Sequence, residues 1–274
     1  MIDHFPAHTR PQRAALSRNI PDPTALGIDL VADLQGAAAR GELVPYFQPQ
    51  IDLATGQIVA AEALCRWRHP VLGVVAPAVF IEIAERSTVI NDIGAFMLQA
   101  GREFLQDCRA GDIQLDVSVN VSPSQLGSSE LRNQLTAMIQ ADSINPSRLT
   151  LEITESMEIE DLEAAAALLS ELRDLGVGIS IDDFGTGHSS AEQIMHLPVS
   201  EVKIDRSLVQ SETEEGRAEF RDAMTLAAER KLRVVAEGIE TEAQREYAIA
   251  MGCHRGQGFL FGRPTATLEF DRWR

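Results

Sequence analysis

Cations are scarce in this chain. Its 274 residues hold 24 lysines and arginines against 41 aspartates and glutamates, a net charge of −17. Such a surface repels polyanions, which argues against general nucleic acid binding and requires local positive charge for any anionic ligand. Cysteine is scarcer still. Cys65, Cys108 and Cys253 stand far apart, with no CxxC and no metal-ligand spacing. An odd count of this kind fits a reducing compartment, with thiols used as small core residues. No apolar run approaches the roughly 18 residues of a membrane span. The opening MIDHFPAHTRPQR has no hydrophobic stretch of the signal-peptide type. The expectation is a soluble, cytoplasmic chain without a membrane segment. Also missing are a GxGxxG at a strand–helix junction and a P-loop, so neither a dinucleotide-binding nor an NTPase reading is supported. The triplet Asp183-Phe184-Gly185 matches the kinase metal-binding triplet, but no His-Arg-Asp or glycine-rich phosphate loop precedes it. That reading fails.

What is present is an alternation of strand-like and helix-like segments. Residues 1–24 carry Pro6, Pro11, Pro21 and Pro23 among polar residues and read as a flexible arm or linker remnant, with one domain over 25–274. A helix is expected from Asp29 to Arg40, stopped by Gly41. Tyr46–Leu53 and Ile58–Trp67 read as strands joined only by the turn ATGQ, too short for a parallel crossover, so they are expected to pair antiparallel. Helical periodicity follows at Pro77–Arg86 and Asp92–Ala110. The strand IQLDVSVNVS comes next, with Val117, Val119 and Val121 alternating with polar residues. Beyond it lie a helix at Glu130–Asp142, the strand LTLEIT, an Ala- and Leu-rich helix ending at Gly176, and the strands VGISIDD and VKID. A helix over Glu215–Lys231, the strand LRVVAEG, a helix over Thr241–Met251 and the run RGQGFLFG complete the order. About eight strands with intervening helices predict an irregular TIM-like (β/α)8 barrel with an antiparallel first strand pair.

The stretch from Ile179 to Asp205 carries the most chemistry. Asp182 and Asp183 end an apolar run and are followed by Phe184 and a Gly-Thr-Gly turn, where both carboxylates can lean toward one point. Adjacent carboxylates repel unless a cation or proton lies between them, and their hard oxygens suit magnesium or manganese. Taken alone, the stretch fits a metal site and a solvated acidic turn equally. The wider pattern favours the site. Glu62, Asn120, Glu152, Asp182 with Asp183, Lys203, Glu237 and Gln257 fall in the later parts of successive expected strands. Barrel enzymes build their sites from several strand ends at the C-terminal face. Five carboxylates converging there need cations, and two divalent ions would meet that need while bridging an anionic substrate.

The ordered series EALCRW (Glu62–Trp67), NVS at Asn120, LEITE (Leu151–Glu155), DDFGTG (Asp182–Gly187), VKID (Val202–Asp205), AEGIE (Ala236–Glu240) and GQGF (Gly256–Phe259) resembles the EAL-domain phosphodiesterases. That family hydrolyses cyclic di-GMP. The resemblance implies a phosphodiesterase giving linear 5'-pGpG with two divalent cations, Mg2+ or Mn2+. It implies Glu62, Asn120, Glu152 and Asp182 as ligands of one cation, Asp182 as the bridge, and Asp183 with Glu237 at the second. Lys203 would hold and help activate the attacking water, with Glu62 and Glu237 in the same catalytic set. Arg66, Gln257 and Asp205 would contact substrate, although Arg66 beside Trp67 also fits a structural stacking pair. Glu155 would tether the loop Phe184–Ser190. A homodimer is implied as well. His188 stands where the family has tyrosine and Ala191 where leucine is common, which bears on loop packing and dimerisation. The competing readings are a receptor that binds cyclic di-GMP without cleaving it and an enolase-like magnesium barrel with Lys203 as base. Receptor relatives have usually lost metal ligands; here none is lost.

Overall fold

Between Asp52 and Gln57 the chain turns so tightly that its flanking strands have only one way to pair. Asp52 Oδ1 accepts from Thr55 N at 2.8 Å, and Gly56 adopts φ +74, an Asx-type turn with glycine supplying the left-handed residue. Strand β1 (Leu43–Asp52) therefore folds back antiparallel on β2 (Ile58–His69), with Gln48 opposite Glu62. The computed structural model describes residues 28–127, 129–141, 144–154, 159, 161–185 and 196–266.

Six further barrel strands follow: β4 (Asp116–Asn120), β5 (Leu149–Thr154), β6 (Gly178–Phe184), β7 (Glu201–Ile204), β8 (Arg233–Ala236) and β9 (Arg255–Gln257). A short β3 (Gly73–Val75), which the sequence reading did not anticipate, pairs with the outer end of β2. The sheet order is β1-β9-β8-β7-β6-β5-β4-β2-β3, and the additional β1–β2 pairing closes it into an eight-stranded barrel with β3 outside. Strand β1 is antiparallel to both its neighbours, and the remaining barrel pairs are parallel. The irregular TIM-like barrel expected from the sequence is the observed fold.

Outside the barrel run α1 (Leu30–Leu34), α2 (Pro77–Glu85), α3 (Val89–Ala110), α4 (Pro123–Leu126), α5 (Ser129–Gln140), α6 (Leu162–Asp174), α7 (Arg206–Val209), α8 (Glu214–Glu229) and α9 (Glu242–Met251). Their ends follow side-chain rules. Asp161, Thr213 and Thr241 cap α6, α8 and α9, and Gly252 ends α9 at φ +90. The first helix is shorter than the expected Asp29–Arg40. Gly36 takes φ +71, and Arg40 donates to Gln35 O at 2.6 Å and to Asp33 O, satisfying carbonyls that a longer helix would have used.

Strand alternation sorts the core. Val117 and Val119 are fully buried outward; Gly101 of α3 lies so near that a Cβ there would sit 3.0 Å from Val119 Cγ2. The intervening Ser118 and Asn120 therefore face the barrel interior. The three cysteines are free and buried, and burial pushes their thiols up to about 12, 11 and 12 for Cys65, Cys108 and Cys253. At the N-terminal end of the barrel, charges brace the strand starts. Asp116 meets Arg255 at 2.6 Å and Arg148 at 3.2 Å, while Arg233 reaches Glu201 at 3.3 Å. No helix among the described residues is long and apolar enough to cross a membrane.

Candidate active site

The opposite, C-terminal mouth gathers the acids. In parallel register Asn120 stands beside Glu152, Glu152 beside Ser180, and Thr154 beside Asp182. Small serines at 118 and 180 leave the interior open for longer side chains from β2, β5 and β7. Lys203, fully buried on β7, fills it. Its Nζ lies 2.7 Å from Glu237, 2.9 Å from Glu152, 3.0 Å from Asp182 and 3.2 Å from Glu62. One ammonium thus touches carboxylates from four different strands or strand ends.

The Asp182–Asp183 pair converges for a reason more specific than a glycine turn. Ile181 pairs with Val202 and Phe184 with Ile204, so two residues of β6 stand against the single Lys203 of β7. This bulge places Asp183 at φ +58, in the left-handed region that aspartate tolerates better than most residues. Alternation is broken at that point, and two consecutive carboxylates reach one mouth.

Two overlapping acidic triads result. Glu62, Glu152 and Asp182 bring oxygens within 4.8 Å of one another, and so do Asp182, Asp183 and Glu237. Asp182 belongs to both. The buried Glu152 Oε1 has no hydrogen-bond partner, a costly state for a carboxylate oxygen that a ligand would relieve. Asn120 Nδ2 donates to Glu62 Oε1 at 3.0 Å, and Gln257 Nε2 donates to Glu62 Oε2 at 2.6 Å.

Electrostatics divide the acids. Burial works against an ionised Glu62, but Lys203, Gln257 and Asn120 together hold its pKa below the usual carboxylate value. Burial, reinforced by neighbouring carboxylates, holds Glu152 and Glu237 well above it and raises Asp182. Asp183 is pushed up to about 7, first by burial and then by Asp182 beside it. Burial likewise opposes a charged Lys203, yet the four carboxylates outweigh it and keep the ammonium protonated.

The remaining expected residues lie around this cluster. Arg66 shares the inward face of β2 with Glu62; its guanidinium sits 5.5 Å over the Tyr46 ring and donates to Cys65 O at 2.9 Å. Its aromatic neighbour is Tyr46, whereas Trp67 points outward, donating to Glu42 and packing on Phe80. Asp205 caps α7 by accepting from Ser207 N at 2.7 Å. Glu155, His188, Ala191 and most of the loop Phe184–Ser190 lie outside the described residues. Gln48 and Gln50 escaped the sequence reading: Gln50 donates to Gln257 at 3.0 Å and Gln257 to Gln48 at 3.2 Å, an amide chain leading to Glu62. Two buried glutamines spaced by two on an apolar strand were the signal for it. A cavity of about 340 Å³ opens beside the acids, lined by Glu62, Asn120, Asp182 and Asp183 and by Ile81, Ile93 and Met97 of α2 and α3.

Fold and site together define a (β/α) barrel with acids grouped at its C-terminal mouth that could hold a metal ion. Comparison with known proteins agrees. The chain belongs to the EAL domain family, whose model matches residues 31–264. It is 38% identical over 240 residues to the bifunctional diguanylate cyclase/cyclic di-GMP phosphodiesterase MucR of Pseudomonas aeruginosa, covering 86% of this chain and 35% of that protein. To the cyclic di-GMP phosphodiesterase PA2567 of the same organism it is 37% identical over 229 residues, 83% of this chain and 39% of the relative. The chain thus spans little more than a third of these curated relatives. A solved PaMucR phosphodiesterase in complex with c-di-GMP superposes with a TM-score of 0.80 at 38% identity, over 86% of this chain and 97% of that one.

Proposed function

We propose that this chain is a cation-dependent phosphodiesterase that opens cyclic di-GMP to linear 5'-pGpG. The observation that carries the reading is the pair of acidic triads sharing Asp182 around a buried, charged lysine. Membership of the family, and the activity named for two relatives, support the substrate. Glu62, Asn120, Glu152 and Asp182 would hold one Mg2+ or Mn2+, and Asp182, Asp183 and Glu237 the other. The unpartnered Glu152 Oε1 fits such a ligand. Asn120 spends its amide nitrogen on Glu62, which leaves its carbonyl oxygen as the ligand atom. Divalent cations held there lower the pKa of water and offset charge developing on the phosphoryl oxygens.

The chain's own groups supply orientation. Lys203 would hold the attacking water in line and help to activate it. Glu62 and Glu237, both against that lysine, would complete the catalytic set. Arg66 at the rim would meet a substrate phosphate. Gln257 would act mainly by fixing Glu62, and Asp205 by anchoring α7 beside the mouth. Pairing of two copies and a cytoplasmic location belong to the same reading.

The test is incubation with cyclic di-GMP and Mg2+ or Mn2+, with products separated by chromatography. Formation of pGpG is expected. Binding without cleavage would make the chain a receptor, and no binding at all would sink the proposal.

A further inference from the structure

Helix α7 is only four residues long, yet both turns that carry the second acidic triad lie against it. On one side Leu208, buried, covers Gly185, two residues beyond Asp183. A Cβ on Gly185 would stand 2.3 Å from Leu208 Cδ1, so the close approach needs glycine there, as does its φ of +100. On the other side Gln210, the residue that ends α7, donates from Nε2 to Gly238 O at 2.6 Å. Gly238 follows Glu237 directly, and a Cβ on it would lie 2.3 Å from Arg206 Cβ. The helix is itself pinned to the end of β7 by Asp205, two residues from Lys203.

We infer that α7 is a positioning wedge for one of the two cations, with Gln210 and Leu208 as its working residues. Leu208 holds the turn after Asp183, and Gln210 holds the turn after Glu237. The spacing of those two carboxylates is therefore set by a single short element. Glu62 and Glu152 sit within β2 and β5, away from these turns, so the first triad meets α7 only through the shared Asp182, which is itself paired with Thr154 of β5. The inference rests on the two-cation reading above and deepens it: contacts behind the ligands act on one cation selectively. Groups that orient metal ligands from behind typically change affinity by about 10–100-fold when removed.

The experiment is a Mn2+ titration of the full chain by calorimetry, with electron paramagnetic resonance to count bound ions. Gln210→Met keeps the side chain's length and removes the donor. Leu208→Ala removes the packing over Gly185, and Leu208→Met serves as its conservative control. For Gln210→Met and Leu208→Ala, one of two Mn2+ is expected to bind about 10–100-fold more weakly, while the other, held mainly by Glu62 and Glu152, changes far less. Leu208→Met should recover much of the loss. Wild-type affinities for both ions in Gln210→Met and Leu208→Ala would overturn the inference, and so would equal weakening of both ions, which marks general loosening. Fewer than two Mn2+ on the wild-type chain would overturn the two-cation reading and the inference with it. Because the readout is cation binding, a wild-type chain that binds two ions but cleaves nothing counts against the proposed activity alone.

Discussion

Replacing Lys203 with alanine separates chemistry from binding and from stability in one variant. The ammonium lies 2.7–3.2 Å from four carboxylates. At an effective dielectric near 20, each contact is worth about 5 kcal/mol of attraction, most of it offset by desolvating the lysine and the acids. What survives is visible on removal: deleting one partner of a buried ion pair costs about 3–5 kcal/mol, because the other charges stay behind. In chelator, Lys203→Ala should therefore melt well below wild type, softened by protons that Glu152 and Glu237 already tend to take up. Saturating Mg2+ should restore much of that loss, since cations replace the missing charge. Turnover should not recover. A group that orients the water matters more in the transition state than in the ground state, and losing one such preorganised donor costs about 10²–10³ in rate. The assays are calorimetric titration with cyclic di-GMP and single-turnover production of pGpG, both in saturating metal. Lys203→Ala should bind and scarcely cleave, whereas Glu152→Ala should lose metal and, with it, substrate. Cleavage by Lys203→Ala at the wild-type rate would refute the reasoning, and the lysine would then be a counter-charge only.

Three further outcomes are expected. Exhaustive chelation should abolish cleavage and Mg2+ or Mn2+ restore it, while Ca2+ restores it poorly because its longer, looser coordination misplaces the water; full activity in chelator would end the account. Cation affinity should fall as pH drops through about 7, where Asp183 takes a proton that the metal must displace. Calorimetry in buffers of different ionisation enthalpy should register that release, and a pH-independent affinity would contradict it. Asp116→Ala, at the far end of the barrel, removes the carboxylate that Arg148 and Arg255 share and should cost about 2 kcal/mol of stability. Its single-turnover rate should match wild type, and a slow but stable variant would show that this end communicates with the mouth.

Most of the fold was legible because barrel strands bury one face against helices and repeat a simple order. LTLEIT is β5 as read, and VGISIDD is β6 shifted by one residue. The antiparallel opening pair followed from the length of its turn alone. Errors arose where short-range chemistry competed with periodicity. The apolar spacing from Leu30 onward continues past Gly36, but a left-handed glycine and the Arg40 guanidinium end α1 at Leu34. Strand β3 is three residues long and exists by pairing with the free outer end of β2, a partner that no local pattern announces.

At the mouth, residue identity was legible and geometry was not. Glu62, Asn120, Glu152, Glu237 and Gln257, with Lys203, could be placed near strand ends by counting, because barrel strands present inward residues at that mouth. Asp182 and Asp183 defy that counting. Alternation sends neighbours to opposite faces, and the glycines that follow them offered only a general licence to turn. The actual device is a one-residue slip against β7, with Asp183 itself left-handed. It depends on pairing with a strand whose first residue, Glu201, is 18 positions beyond Asp183. The amide chain from Gln50 through Gln257 to Glu62 was hidden for the same reason, since it joins the first and last strands. Closure of the barrel is what makes them neighbours. A carboxylate's ligand role can be guessed from its strand, but its orientation is set by partners far away along the chain, as the 195-residue separation of Glu62 and Gln257 illustrates.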